Sequence, residues 1–202
     1  NVLNRHLTDG FLSEVGVEVY RSPGQCRAAR IVLTAPPGAT ILATLPTGEG
    51  KSLLFQLVDR VGFSDTQGLG VTLVVVPTVT LAIDHEQSAR KLPIRENRSP
   101  DQPLAYVGDE TRKLQIREAI RAGQQGLCFA APEAACGSLR YALLDAASAG
   151  RLRAFVVDEA HYFLQEPDFR EQVDLELAGY MLVTYRVSNL HPDLLQIGRA
   201  HV

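Results

Sequence analysis

The chain has 202 residues, 46% of them hydrophobic, and a net charge of −3. That length and apolar content give one domain with ample material for a core and argue against disorder. The charge excludes a general polycationic grip on nucleic acid, and no apolar run approaches the roughly 20 residues of a membrane span. Cys26, Cys128 and Cys136 form no CxxC pair. Reduced, mostly buried thiols are therefore expected rather than a disulfide or a zinc site. The chain opens at Asn1 with nothing like a signal peptide, so the expectation is a piece of a cytoplasmic protein.

The first strand-like run is Thr40–Leu45, followed by Pro46-Thr47-Gly48-Glu49-Gly50-Lys51-Ser52 and a helix-like stretch over Lys51–Arg60. A strand, a glycine-rich turn and a helix leave several backbone N–H groups pointing one way. They form a cradle for anionic oxygens, and the helix dipole adds to it. Gly48 and Gly50 permit backbone conformations and close approaches that a Cβ would block. Lys51 can reach the β- and γ-phosphates of a nucleotide, and the Ser52 hydroxyl can ligate Mg²⁺. The full phosphate-loop pattern has glycine six residues before the lysine; here that residue is Leu45. A plain surface turn is the alternative for this segment taken alone.

Further along, Val71–Val76, Leu104–Val107, Gly126–Ala130 and Ala154–Val157 read as strands. Val79–Lys91, Glu110–Arg121 and Glu133–Ala149 read as helices. Leu92–Pro103, with three prolines and several charges, reads as an exposed loop. The alternation predicts an α/β fold, a mainly parallel sheet with helices on both faces. The strands are continuous apolar runs, as covered faces require.

The last of these strands ends in Asp158-Glu159-Ala160-His161. Ligands of open parallel sheets sit beyond the carboxyl ends of the strands. Asp158 is therefore expected to partner the metal of a bound nucleotide, directly or at one remove. Glu159 is expected to orient and deprotonate an attacking water. A solvated turn would explain either carboxylate alone; the two motifs in this order, each after an apolar strand, favour the nucleotide reading.

These residues resemble the first motor lobe of a superfamily 2 helicase, and most of all the RecQ-type DNA helicases. The likeness runs from about Tyr20 to Arg170, three quarters of the chain. Ser22-Pro23-Gly24-Gln25 resembles the adenine-reading element, in which Gln25 would pair with the adenine edge. The family has Arg-Pro-Gly-Gln there; in this chain Arg21 is displaced by one. Leu45–Ser52 resembles motif I, where this family itself carries leucine first. Val76–Leu81 resembles motif Ia, which implies backbone contacts to nucleic acid by Pro77, Thr78 and Thr80. Ala131-Pro132-Glu133 resembles the Thr-Pro-Glu element, with Pro132 on the nucleic-acid side and alanine in place of threonine. Asp158–His161 resembles the DEAH form of motif II, which implies that His161 couples the nucleotide site to the lobe interface. Gln165 and Asp168-Phe169-Arg170 resemble the aromatic-rich loop that couples single-stranded DNA to hydrolysis, with Phe169 and Arg170 at the nucleic acid. That loop looks one residue short and lacks tryptophan, which the chain has nowhere. The run Pro77–Asp84 also looks like the RecQ-related DpdF proteins, linked to bacterial DNA carrying deazapurine bases.

The resemblance implies a RecA-like P-loop lobe of an ATP-dependent 3′–5′ DNA helicase or translocase. ATP and Mg²⁺ are the implied cofactors; single-stranded or partly duplex DNA and a second RecA-like lobe are the implied partners. Lys51, Asp158 and Glu159 would carry the chemistry. Gln25, Thr47, Gly48, Glu49, Gly50, Lys51 and Ser52 would hold the nucleotide, and Ser52 and Asp158 the metal. An RNA helicase of the same superfamily and a non-enzymatic nucleotide-binding scaffold are the rivals. The expected organisation is an N-terminal segment to residue 30 with the adenine-reading element, the ATP-binding lobe over 31–178, and a tail over 179–202. The last six residues, Ile197–Val202, look like translated adapter sequence, so the tail is expected to be truncated or non-native.

Three other features remain open at this level. Lys113, Arg117 and Arg121 share a helix face, either as a phosphate track or, the favoured reading, as a solvated face beside Glu110 and Glu118. Tyr20 could stack on adenine or sit in the core. Cys128, inside an apolar run, is expected in the core.

Overall fold

The computed structural model describes residues 8–36, 39–46, 48–61, 70–93, 99–160 and 180–184. Five strands form one sheet: β1 (Ile41–Thr44), β2 (Val71–Val75), β3 (Gly126–Ala130), β4 (Leu152–Val157) and β5 (Tyr180–Thr184). Their order is β1-β5-β4-β2-β3, and every neighbouring pair is parallel. Parallel neighbours cannot be joined by hairpins, so the chain crosses over through helices. After α1 (Pro23–Thr34), which precedes β1, these are α2 (Ser52–Val61) between β1 and β2, α3 (Val79–Ala89) and α4 (Glu110–Arg121) between β2 and β3, and α5 (Pro132–Cys136) and α6 (Arg140–Ser148) between β3 and β4.

Strand alternation sorts the side chains into two cores. Val74, Val76, Leu127, Phe129, Ala154 and Val156 face α1, α2 and α3 through Ala29, Leu54, Phe55, Leu57 and Ala82. Val71, Leu73, Val75, Cys128, Ala130 and Phe155 face α4, α5 and α6 through Ile116, Ile120, Ala135, Leu143 and Ala146. With both faces covered, β2, β3 and β4 are buried at every position, which is why their sequences run apolar without alternation.

Four departures from the sequence reading have local causes. The helix α1 was not expected. Ser22 caps it by accepting the Gln25 N–H at 3.1 Å, and Pro23 stands at its start, where a missing N–H costs nothing. Its span runs across residue 30, the expected domain border. Leu104–Val107 is not a full strand: it makes a single parallel bridge, Ala105 to Phe129, beside the edge strand β3. The expected helix Glu133–Ala149 breaks into α5 and α6 at Gly137, whose backbone crowds Glu133 O so closely that a Cβ would lie 2.6 Å from it. Finally, β5 lies past residue 178 and sits inside the sheet, between β1 and β4.

Candidate functional site

In a parallel sheet all carboxyl ends lie along one edge, and the motif segments emerge there together. The glycine-rich loop follows β1, Pro77–Thr80 follows β2, Ala131-Pro132-Glu133 follows β3 and Asp158-Glu159 follows β4. The strand order divides them. The loop after β1 and the acidic pair after β4 flank β5, whereas the β2 and β3 segments are direct neighbours on the other side.

Lys51 Nζ lies 2.5 Å from Glu159 Oε1, an ion pair that joins residues 108 apart in sequence. Both side chains are partly buried, which strengthens the attraction relative to a surface pair. Glu159 holds the left-handed backbone conformation, φ 51°, the one non-glycine residue to do so among those described. Such a conformation costs of order 1–3 kcal/mol and persists where the surroundings impose it. Here Asp158 Oδ1 accepts the Glu159 N–H at 3.0 Å, and the Asp158 N–H bonds Val75 O at 2.9 Å, so the turn is tied back to β2.

The loop is braced from behind by the start of α1. Arg21 Nη1 donates to Gly48 O at 2.8 Å, Gln25 Nε2 donates to Gly50 O at 2.9 Å, and Ser22 Oγ donates to Glu49 Oε2 at 2.7 Å. Gly48 and Gly50 have φ of 85° and 71°, where a side chain would be strained. A Cβ on Gly50 would also stand 2.7 Å from Gln25 Nε2. Gln25 is only 2% exposed, and its Oε1 accepts the Arg21 N–H at 2.7 Å. Its amide therefore serves the loop in this structure, with both ends engaged. Arg21, one position off the family pattern, reaches the loop through its side chain.

The remaining expected residues fall into three groups. Thr78 and Thr80 are exposed at the start of α3, Pro77 and Pro132 are half-buried at the same sheet edge, and Thr78 caps α3 by accepting the Leu81 N–H. Thr47, His161, Gln165, Asp168, Phe169 and Arg170 lie outside the described residues. The basic face of α4 is spent on its neighbours: Arg117 bonds the Tyr106 hydroxyl and Glu110, Arg121 bonds Glu118 and Asp145, and Lys113 lies over the Tyr106 ring. Tyr20 is a core residue whose hydroxyl donates to Asp9 at 2.8 Å; burial and that carboxylate push its phenol above the ordinary range. Burial pushes the Cys128 thiol up to about 12, so it is inert in the core.

One site contact had no signal in the sequence. His85, on α3, places Nε2 at 3.2 Å from Asp158 Oδ2. A histidine in the middle of an amphipathic helix gives no hint of a partner 73 residues away.

A parallel α/β domain with a braced glycine loop and an acidic pair at one sheet edge defines a class that handles phosphates. The chain belongs to the DEAD/DEAH box helicases: that family's model matches residues 22–183. It is a superfamily 2 helicase domain, and membership implies the use of ATP and Mg²⁺. It is 30% identical over 173 residues to the RecQ-like DNA helicase blm-1 of Caenorhabditis elegans, covering 83% of this chain and 16% of that protein. It is 33% identical over 130 residues to the ATP-dependent DNA helicase RecQ of Synechocystis, covering 63% and 24%. The helicase domain of Pyrococcus furiosus Hef shares the fold, with TM-score 0.54 and 20% identity over 86% of this chain and 34% of that one. The chain thus spans a quarter or less of the curated relatives cited. Among the described residues, no helix is long and apolar enough to cross a membrane.

The donor set suits the family's metal. Mg²⁺ takes hard oxygen ligands, keeps several waters and needs only one or two groups from the protein. No cluster of three or more candidate ligands occurs among the described residues. The Asp158 carboxylate at the tip of β4 and the Ser52 hydroxyl at the start of α2 match that demand for few, hard donors.

Proposed function

We propose that this chain is the RecA-like ATP-binding lobe of an ATP-dependent DNA helicase or translocase, RecQ-like in its motifs, moving 3′ to 5′ on single-stranded or partly duplex DNA. The observation that carries the reading is the Lys51–Glu159 pair at the carboxyl edge of the sheet. It joins in one ion pair the lysine proposed to bind phosphate and the glutamate proposed to activate water. An incoming triphosphate would draw Lys51 onto its β- and γ-oxygens. Glu159, released from the lysine, would orient a water and accept its proton as the water attacks the γ-phosphorus. The backbone amides of the loop would hold the phosphate oxygens, supported from behind by Arg21 and Gln25. Ser52 and Asp158 would hold Mg²⁺, which would supply charge neutralisation on the phosphates. Catalysis of this kind is chiefly positioning and electrostatic stabilisation.

Thr78, Thr80, Pro77 and Pro132, with Phe169 and Arg170, form the proposed nucleic-acid side, and His161 the proposed coupling residue. The lobe is proposed to span about residues 31–178 together with β5, which belongs to the same sheet. A second RecA-like lobe would complete the site with arginine fingers, worth about 10³–10⁵ in rate in related enzymes. The 202-residue chain alone should therefore bind nucleotide weakly and hydrolyse almost none.

The test is ATP hydrolysis by the full-length protein, with single-stranded DNA or RNA added. Stimulation by DNA and its loss in Lys51→Ala support the reading. Stimulation by RNA alone would make it an RNA helicase, and normal turnover in Lys51→Ala would remove the phosphate assignment.

A further inference from the structure

His85 occupies a junction that the motifs do not describe. Its ring stacks on Phe129 of β3, with centroids 5.3 Å apart and planes 16° from parallel. Phe55 of α2 packs edge-on against both rings, at 5.5 and 5.9 Å. The imidazole thus packs against both the helix that follows the phosphate loop and the strand that leads to Ala131-Pro132-Glu133. Its Nε2 is buried, points at Asp158 Oδ2 from 3.2 Å, and makes no aligned hydrogen bond among the described residues. The other carboxylate oxygen, Oδ1, is held by the Glu159 N–H. A ring held by one stacked and one edge aromatic contact has little freedom, so the direction of Nε2 is set by packing rather than by the carboxylate.

We propose that His85 is a positioning residue for Asp158: its Nε2, set by packing 3.2 Å from Oδ2, presents an N–H that attracts that edge of the carboxylate and biases the plane in which Asp158 meets the metal. The proposal rests on the nucleotide reading given above. Groups that orient a metal-binding carboxylate commonly change affinity or activity by about 10–100-fold when removed. The arrangement also ties Asp158 to α3, whose first turn carries the exposed Thr78 and Thr80. A shift of that helix would move the imidazole and, with it, the carboxylate.

Two variants of the full-length protein separate the donor from the packing. His85→Phe keeps an aromatic ring against Phe129 and loses the N–H. His85→Gln loses the ring and keeps an N–H donor. Calorimetric titration with ATP, with Mg²⁺ or with EDTA, gives the metal-dependent gain in affinity; steady-state hydrolysis gives kcat and KM; thermal melts monitor the fold. In His85→Phe, ATP binding in EDTA should stay within about 2-fold, while the Mg²⁺-dependent gain and kcat should each fall about 10-fold. His85→Gln should recover most of that loss, with melting temperatures of both variants close to wild type. A full Mg²⁺-dependent gain and unchanged kcat in His85→Phe would overturn the proposal. Equal losses in both variants with melts unchanged would do so as well, because the donor would then be irrelevant. If wild-type protein bound no ATP at all, the nucleotide reading itself would fall, which is a different result from loss of the metal gain alone.

Discussion

Two acidic centres lie on this domain, and they use carboxylates in opposite ways. At the tips of β1 and β4, Glu159 is partly exposed, sits on a strained backbone and pairs with Lys51. At the β3 edge, Glu86 of α3 is 6% exposed and saturated with donors. It accepts from Arg90 Nη2 at 2.7 Å, from Arg112 Nη2 at 2.8 Å, and from the Leu104 and Ala105 N–H groups at 3.1 and 3.3 Å. Arg90 also reaches Pro100 O. The Glu86 cluster is a staple that fastens the Pro100–Ala105 segment and α4 to α3. A buried carboxylate with every lone pair engaged has nothing to exchange with a ligand, whereas a less buried carboxylate paired with a lysine keeps more contact with solvent. Charge pairing therefore does not separate the two centres; depth of burial and backbone strain do.

The sharpest way to break the comparison is to remove each carboxylate. Glu159→Gln in the full-length protein should lower single-turnover ATP hydrolysis by about 10²–10⁴ while ATP affinity stays within a few-fold. A hydrolysis rate near wild type would mean that Glu159 is not the base. Glu86→Ala should act on stability instead. It leaves the Leu104 and Ala105 N–H groups and Arg112 without their carboxylate, while Arg90 keeps Pro100 O, at a cost of about 3 kcal/mol in urea unfolding. A loss under 0.5 kcal/mol would show that the cluster is not a staple.

Acid should separate the two centres further. Burial alone would raise the Glu86 pKa, but the Leu104 N–H and the two arginines outweigh it and hold it below the ordinary carboxylate value. A carboxyl whose folded pKa is depressed contributes stability that is present above its unfolded pKa and is lost as pH falls through the folded one. Wild-type stability should therefore drop more steeply than that of Glu86→Gln below about pH 4.3, the ordinary glutamate value. Urea midpoints at pH 7 and pH 3.5 check this, and parallel slopes for the two proteins would remove the staple's electrostatic part.

The smallest effect concerns the brace behind the loop. Ser22→Ala removes the cap of α1 and the contact to Glu49, and should cost about 1 kcal/mol. ATP affinity should fall with it, because the loop loses one of its three supports. Unchanged stability and affinity would assign the support of the loop to Arg21 and Gln25 alone.

Much of this molecule was legible in the residue order. Continuous apolar runs at 71–76, 126–130 and 154–157 could only be strands covered on both faces, and the structure buries each of them. The glycines at 48 and 50 pointed to a loop needing backbone conformations that a Cβ would block, and both have positive φ. The end of the chain was harder to read. No motif singled out residues 180–184 as part of the sheet, yet Tyr180–Thr184 pairs with both β1 and β4. Strand pairing is made by backbone groups, so it needs no side-chain motif. Leu104–Val107 misled in the opposite direction: an apolar run lying along a sheet edge is held by one bridge and by the Glu86 staple rather than by a full ladder.

The sequence by itself determined the class of fold, the phosphate-type loop and the acidic pair, because each is a local pattern of backbone freedom, apolar period and charge. Only the tertiary structure decided which groups meet. It set Lys51 against Glu159 across 108 residues, turned the Gln25 amide onto Gly50 O, and packed His85 against two phenylalanines beside Asp158. These contacts depend on the order of strands in the sheet and on which face each helix covers. Both follow from burying the two apolar faces at once, and no local stretch of sequence records that global packing.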